Sequence, residues 1–179
     1  MALPEQLQRV VDRFASASRE LKGQALLQYA NKVPPLPPEY SDAPDRLARV
    51  HECQSPFFLA TEVDESGEVH LFFDCPPETP TVRGFAGLIR EGLEGQHYSV
   101  VLDVPTTFYS SMGLEEVVSP MRLRGMRAIM AAIRRGIRTQ IEGGVGEGEM
   151  VGGSAGMDEG KDEVSDRESQ GPIGGRQSP

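Results

Sequence analysis

The chain has 179 residues, 38 % hydrophobic and 25 % charged, with a formal net charge of −9; one domain is expected, and a unit of about 140 residues buries roughly two thirds of its unfolded surface without a metal or disulfide staple. No stretch approaches the roughly 18 to 20 apolar residues of a membrane span, and the start Met1-Ala2-Leu3-Pro4-Glu5-Gln6 lacks the regions of a signal peptide, so a cytoplasmic protein with no membrane partner is expected. The acidic balance argues against a nucleic-acid partner, and two cysteines in a reducing compartment read as free thiols.

Pro4 suits a first helical turn, and Leu3, Leu7, Val10, Val11 and Phe14 then recur at three-to-four spacing, which predicts a helix over 4–17. A second helical pattern runs through Leu21, Ala25, Leu26, Tyr29, Ala30 and Val33. Pro34, Pro35, Pro37 and Pro38 stop it, and an extended connector to about Leu47 is expected. The β-prone runs Phe57–Val63 and Val69–Phe73 flank the turn residues Asp64-Glu65-Ser66-Gly67 and form an antiparallel hairpin. An extended piece around Arg49-Val50-His51 adds an edge strand, with Cys53 in the bend between it and the hairpin. Helical spacing returns at Thr81, Val82, Phe85, Ala86, Ile89 and Leu93, with Gly95 as a C-terminal cap. Short helical turns follow around Tyr98–Leu102 and Thr106–Met112, separated by Pro105 and closed by Gly113. Ser119-Pro120 opens a long last helix, with Met126, Ile129, Met130, Ile133 and Ile137 on one face and Arg122, Arg124, Arg127, Arg134, Arg135 and Arg138 on the other. Helices, a three-stranded antiparallel sheet and more helices make an α+β two-layer domain over residues 1–142.

Residues 143–179 differ in kind. They hold eight acids against three bases, 11 of the 20 glycines and no aromatic residue, a composition that cannot bury enough apolar surface to offset the entropy of ordering. A disordered acidic tail is expected. The remaining 142 residues carry 19 acids and 15 bases, and the arginines of the last helix read as its solvated face.

Cys53 stands in the polar segment His51-Glu52-Cys53-Gln54-Ser55-Pro56, whereas a packing cysteine more often lies within an apolar run. As a functional thiol it would work through its thiolate, which a nearby cation or loop amides favour; His51, Arg49 or the arginine-bearing helix are candidates for that support. Cys75, after Phe72-Phe73-Asp74, reads as a partly buried structural cysteine, and His97 as a surface histidine. The spacing of Cys53, Cys75, His51 and His70 lacks the close ligand pairs of a zinc site, so no metal and no bound cofactor are expected. A phosphate loop, G-x-G-x-x-G, G-x-S-x-G and H-E-x-x-H are all missing. From the residues alone the reading stops at a cytosolic α+β domain with one candidate functional thiol; a thiol hydrolase or peroxidase, or a non-catalytic interaction module in which Cys53 is structural, stay open.

Four segments in this order resemble the SufE family of sulfur acceptors in iron–sulfur cluster assembly. They are paired helices running into Val33-Pro34-Pro35-Leu36-Pro37, the loop and strand Val50–Leu59, the helix start Thr81-Val82-Arg83-Gly84-Phe85-Ala86-Gly87-Leu88-Ile89, and Val118-Ser119-Pro120-Met121-Arg122-Leu123-Arg124-Gly125-Met126. The resemblance implies a SufE/NifU-like two-layer α+β fold and a sulfur-transfer accessory protein rather than a stand-alone enzyme. It implies that Cys53 takes sulfane sulfur from the persulfide of a SufS-like cysteine desulfurase, stimulates that enzyme, and delivers the sulfur to a SufBCD-like scaffold. The pyridoxal phosphate belongs to the desulfurase. By the same resemblance His51, Gln54, Ser55, Asp74, Arg83 and Arg122 are supporting or partner-binding residues. Where members of the family often carry glycine directly before the cysteine, this chain has Glu52, an acid that opposes thiolate formation if it lies close.

Overall fold

The computed structural model describes residues 3–144. The acidic glycine-rich segment lies outside them from residue 145 on; its first two glycines, Gly143 and Gly144, continue the last helix.

Helix α1 spans Glu5–Ala15 and buries Leu7, Val10, Val11 and Phe14, the residues whose spacing predicts it. Ser18 begins α2, Arg19–Ala30, its hydroxyl accepting the Leu21 N–H. Leu26, Tyr29, Ala30 and Val33 are buried as expected, and only the first position of the face differs. Leu21 is 54 % exposed, and Lys22 is buried instead, its ammonium 3.1 Å from Glu116. A buried ammonium is tolerable only with such a partner, which lies 94 residues away in the chain. The connector is not wholly extended as expected: Pro38–Ser41 forms a short helix, α3, and Pro44–Arg46 a 3-10 turn. Proline bars a helix interior but suits its first turn, where no N–H is required.

The sheet has the order β1-β2-β3, all antiparallel, with β1 at Ala48–Arg49, β2 at Phe58–Val63 and β3 at Val69–Asp74. Asp64 holds the hairpin turn by accepting the N–H groups of Ser66 and Glu68 at 2.9 Å. Helix α4, Pro80–Leu93, follows, and Gly95 takes a left-handed φ of 72° just past its end, donating its N–H to Val69 of β3. Helix α5, Tyr98–Asp103, is capped by the exposed His97, whose Nδ1 accepts the Ser99 N–H. Two 3-10 turns follow, Phe108–Ser111 and Leu114–Glu116; the second is absent from the sequence expectation and buries Leu114.

Helix α6, Pro120–Gly144, buries Met126, Ile129, Met130, Ile133 and Ile137 completely. Each such side chain contributes roughly 1.5–3 kcal/mol by leaving water. Its opposite face exposes Arg122, Arg124, Arg127, Arg135 and Arg138, while Arg134 is half-buried. Helices α2 and α4 meet closely because Gly84 and Gly87 have no Cβ: one built on Gly84 would stand 2.6 Å from the Leu26 carbonyl oxygen, and one on Gly87 would overlap that of Tyr29. This contact fixes α4 under the loop that carries Cys53.

Candidate thiol site

Strand β1 ends at Arg49 and the chain doubles back. Val50 donates its N–H to the Phe57 carbonyl at 2.9 Å, and both side chains are buried, so the two ends of the loop 50–57 are pinned together. Cys53 sits at the tip, its N–H directed to the Val50 carbonyl at 3.3 Å. The thiol is half-buried and turns inward, with Sγ 3.8 Å from the Gly125 carbonyl of α6 as its acceptor.

The glycine decides how near that carbonyl can come. A Cβ on Gly125 would lie 3.3 Å from Cys53 Sγ, tighter than an ordinary van der Waals contact. An isolated glycine inside a helix costs about 1 kcal/mol relative to alanine, and the close approach of the loop is its physical justification.

Beside the thiol is a cavity of about 10 Å³, space for about one water-sized group. Val82 and Phe85 of α4 and Ile129 of α6 form its apolar wall; Gln54, Ser55 and Arg122 also line it. Arg122 donates to the Thr81 hydroxyl at 2.8 Å, tying the start of α6 to the start of α4 across the cavity mouth. Met121, beside it, is 44 % exposed.

Burial pushes the Cys53 thiol up to about 11, and the carboxylate of Glu52 and the second thiol, Cys75, push in the same direction. The cations offered by the sequence do not compensate: among the causes of the shift none is a positive charge. At neutral pH the resting group is therefore a shielded thiol, poor as a nucleophile until its surroundings change.

The remaining expected residues divide by place. Gln54, Ser55 and Arg122 line the cavity with Cys53, whereas His51 is exposed on the loop and Asp74 is exposed at the end of β3; neither lines the cavity. Arg83 serves a different location. Its guanidinium donates to the carbonyls of Ala30 (3.0 Å), Cys75 (2.9 Å) and Val33 (3.2 Å), clamping the end of α2 and the connector to the end of β3. Cys75 is buried, its Sγ 3.9 Å from Arg83, and burial raises its thiol despite that guanidinium. Val82, Phe85, Met121, Gly125 and Ile129 line the site without being expected there. Periodicity marks Val82, Phe85 and Ile129 as core, and only the helix-interior glycine signals a close approach. Asp64, Glu68 and His70 bring their ligand atoms within 4.8 Å of one another at the hairpin turn, away from both cysteines, and Asp64 is engaged in holding that turn.

The family model for SufE, an Fe-S metabolism associated domain, matches residues 8–137, from within α1 to the last buried isoleucine of α6. The chain belongs to the SufE family. An uncharacterized SufE-like protein of Mycobacterium tuberculosis is 41 % identical over 137 residues, 76 % of this chain and 94 % of that protein. Another uncharacterized SufE-like protein, from Synechocystis, is 26 % identical over 148 residues, 82 % of this chain and 89 % of its own. The solution structure of a hypothetical protein from Thermus thermophilus aligns with a TM-score of 0.71 at 45 % identity, covering 79 % of this chain and 99 % of that one. The three-stranded α+β architecture is therefore a SufE-like fold, and membership of the family supports a role in Fe–S metabolism. Among the described residues no helix is long and apolar enough to cross a membrane.

Proposed function

We propose that this SufE-family protein is a sulfur carrier whose acceptor is Cys53. The observation that carries the reading is the placement of that thiol, at the tip of a pinned loop and turned into a cavity between α4 and α6. The donor is the persulfide of a pyridoxal-phosphate cysteine desulfurase of SufS type, the pyridoxal phosphate staying on that enzyme. The Cys53 thiolate attacks the outer sulfur of the partner's persulfide; the new S–S bond forms on Cys53 as the partner's S–S bond breaks, and the partner cysteine leaves as thiolate. Sulfur then passes to a SufBCD-like scaffold in the cytoplasm, and acceptance frees the desulfurase for another turnover, which is how such a carrier stimulates it.

Burial and Glu52 hold the resting thiol protonated, so productive docking has to move the loop 50–57 or bring a proton acceptor to Sγ. Arg122 is the positioning residue best placed to feel that movement, because it lines the cavity while bonded to Thr81.

The test is non-reducing mass spectrometry after incubation with free cysteine and a cysteine desulfurase. One added sulfur on the Cys53 peptide is expected, lost in Cys53→Ser and retained in Cys75→Ser. Equal loss in both variants would sink the assignment of Cys53 as the acceptor, and an unmodified Cys53 beside an active matched desulfurase would leave a non-catalytic interaction module of the same fold.

A further inference from the structure

A second recess lies apart from the thiol cavity, where β1 stops. Strand β1 pairs only with Phe58 and Leu59, while β2 continues to Val63. The antiparallel ladder cannot extend further, because the residues before Ala48 turn into the 3-10 segment Pro44–Arg46. Helix α6 covers the exposed strand edge instead: the Gln140 side chain accepts the Val63 N–H at 2.9 Å and donates to the Thr61 carbonyl. What remains between β1 and the C-terminal half of α6 is an open groove of about 600 Å³.

Its lining is unusual for an acidic protein. Leu59, Ala60 and Ala132 give it an apolar floor, and three guanidinium groups, Arg46, Arg49 and Arg135, stand around it. Among the described residues none of the three forms an ion pair. Arg46 bonds the Glu39 carbonyl oxygen and lies over the Tyr40 ring, and Arg49 lies over the Phe58 ring. The one carboxylate among the described residues that line the groove, Glu62, accepts the Tyr40 hydroxyl. The groove thus offers three positive charges against one negative, none of the three arginines ion-paired among the described residues, above apolar surface.

We propose that this groove binds an acidic polypeptide segment of a partner protein, its carboxylates paired with Arg46, Arg49 and Arg135 and its apolar side chains on the floor. The volume is much larger than a single phosphate or sulfate needs, and the apolar floor gives such an ion nothing to contact. A nucleic acid, charged at every phosphate, would meet more repulsion from a chain of net charge −9 than a segment whose carboxylates alternate with apolar side chains, and its backbone has no aliphatic groups for the floor. Strand addition is blocked at Thr61 and Val63, where Gln140 already bonds the edge, so recognition runs through side chains. This inference does not depend on sulfur transfer at Cys53.

The test is fluorescence anisotropy of a fluorescein-labelled peptide of alternating glutamate and leucine against the full chain, with a glutamine-leucine peptide as control. The glutamate peptide should bind saturably and more weakly as salt rises. Arg46→Glu/Arg49→Glu/Arg135→Glu should weaken it about tenfold or more, and Arg135→Glu alone in the same direction, because both reverse charges facing the ligand. Arg124→Glu/Arg127→Glu, exposed on α6 and outside the groove, should change it by no more than about twofold. Thermal melts of each variant confirm that it is folded. No saturable binding, equal binding of the glutamine peptide, equal loss in the Arg124/Arg127 variant, or tighter binding of inorganic phosphate or an oligouridylate would each overturn the proposal.

Discussion

Iodoacetamide captures thiolates, so its rate on Cys53 reports both the ionisation of the group and its access. Burial first, then Glu52, then Cys75, moves this thiol from the ordinary 9.0 to about 11. Below pH 9 that leaves about a hundredth of the thiolate an ordinary cysteine carries. In the folded full chain the Cys53 peptide should therefore be alkylated about a hundredfold more slowly, at about pH 7.5, than the same peptide in guanidinium. Peptide mapping separates it from Cys75, so no variant is needed. The logarithm of the rate should climb with unit slope through pH 9 and bend only near 11. Restricted access lowers the rate by the same factor at every pH, so it does not move the bend. A bend near 9, or equal rates in folded and unfolded chain, would refute the claim that the cavity and Glu52 suppress the thiolate.

Arg83→Ala removes a guanidinium from three backbone carbonyls and should cost about 3 kcal/mol, read as a lowered thermal midpoint, while sulfur acceptance per folded molecule is retained; a loss of acceptance without a loss of stability would place Arg83 in the site after all. Two glycine substitutions should differ in sign. Gly23→Ala in α2 meets nothing within 4 Å and should gain roughly 0.5–1 kcal/mol of helix propensity, whereas Gly87→Ala drives α2 and α4 apart and should lose roughly 2 kcal/mol or more. Denaturant titrations giving the same sign for both would contradict the close packing of those helices. His70 is held charged chiefly by its hydrogen bond to Asp64 and then by that to Glu94, so its NMR titration midpoint should exceed the ordinary 6.5 and fall in Glu94→Gln. Its stabilising contribution is then complete below 6.5 and fades as pH rises through the folded-state value; a midpoint at or below 6.5 would remove it.

The sequence by itself determined the elements whose signal is local. The 3.6-residue spacing of Leu7, Val10, Val11 and Phe14, and of Met126 through Ile137, needs no partner to be read, and the Asp64–Gly67 turn between two β-prone runs fixes the hairpin. Cys53 stood out for the same reason, as a thiol in polar company. Tertiary structure alone decided the rest, since each remaining feature depends on contacts distant in the chain. Lys22 replaces Leu21 on the buried face because Glu116 lies within reach, and Arg83 bonds backbone carbonyls of α2, the connector and the end of β3. The cavity exists because residues from the Cys53 loop, α4 and α6 converge, and only that convergence shows that Cys53 faces Gly125 without a compensating cation. A sequence gives the order in which groups occur, but the protonation state of a thiol follows from how much water and which charges surround it, and those are set by the folded chain.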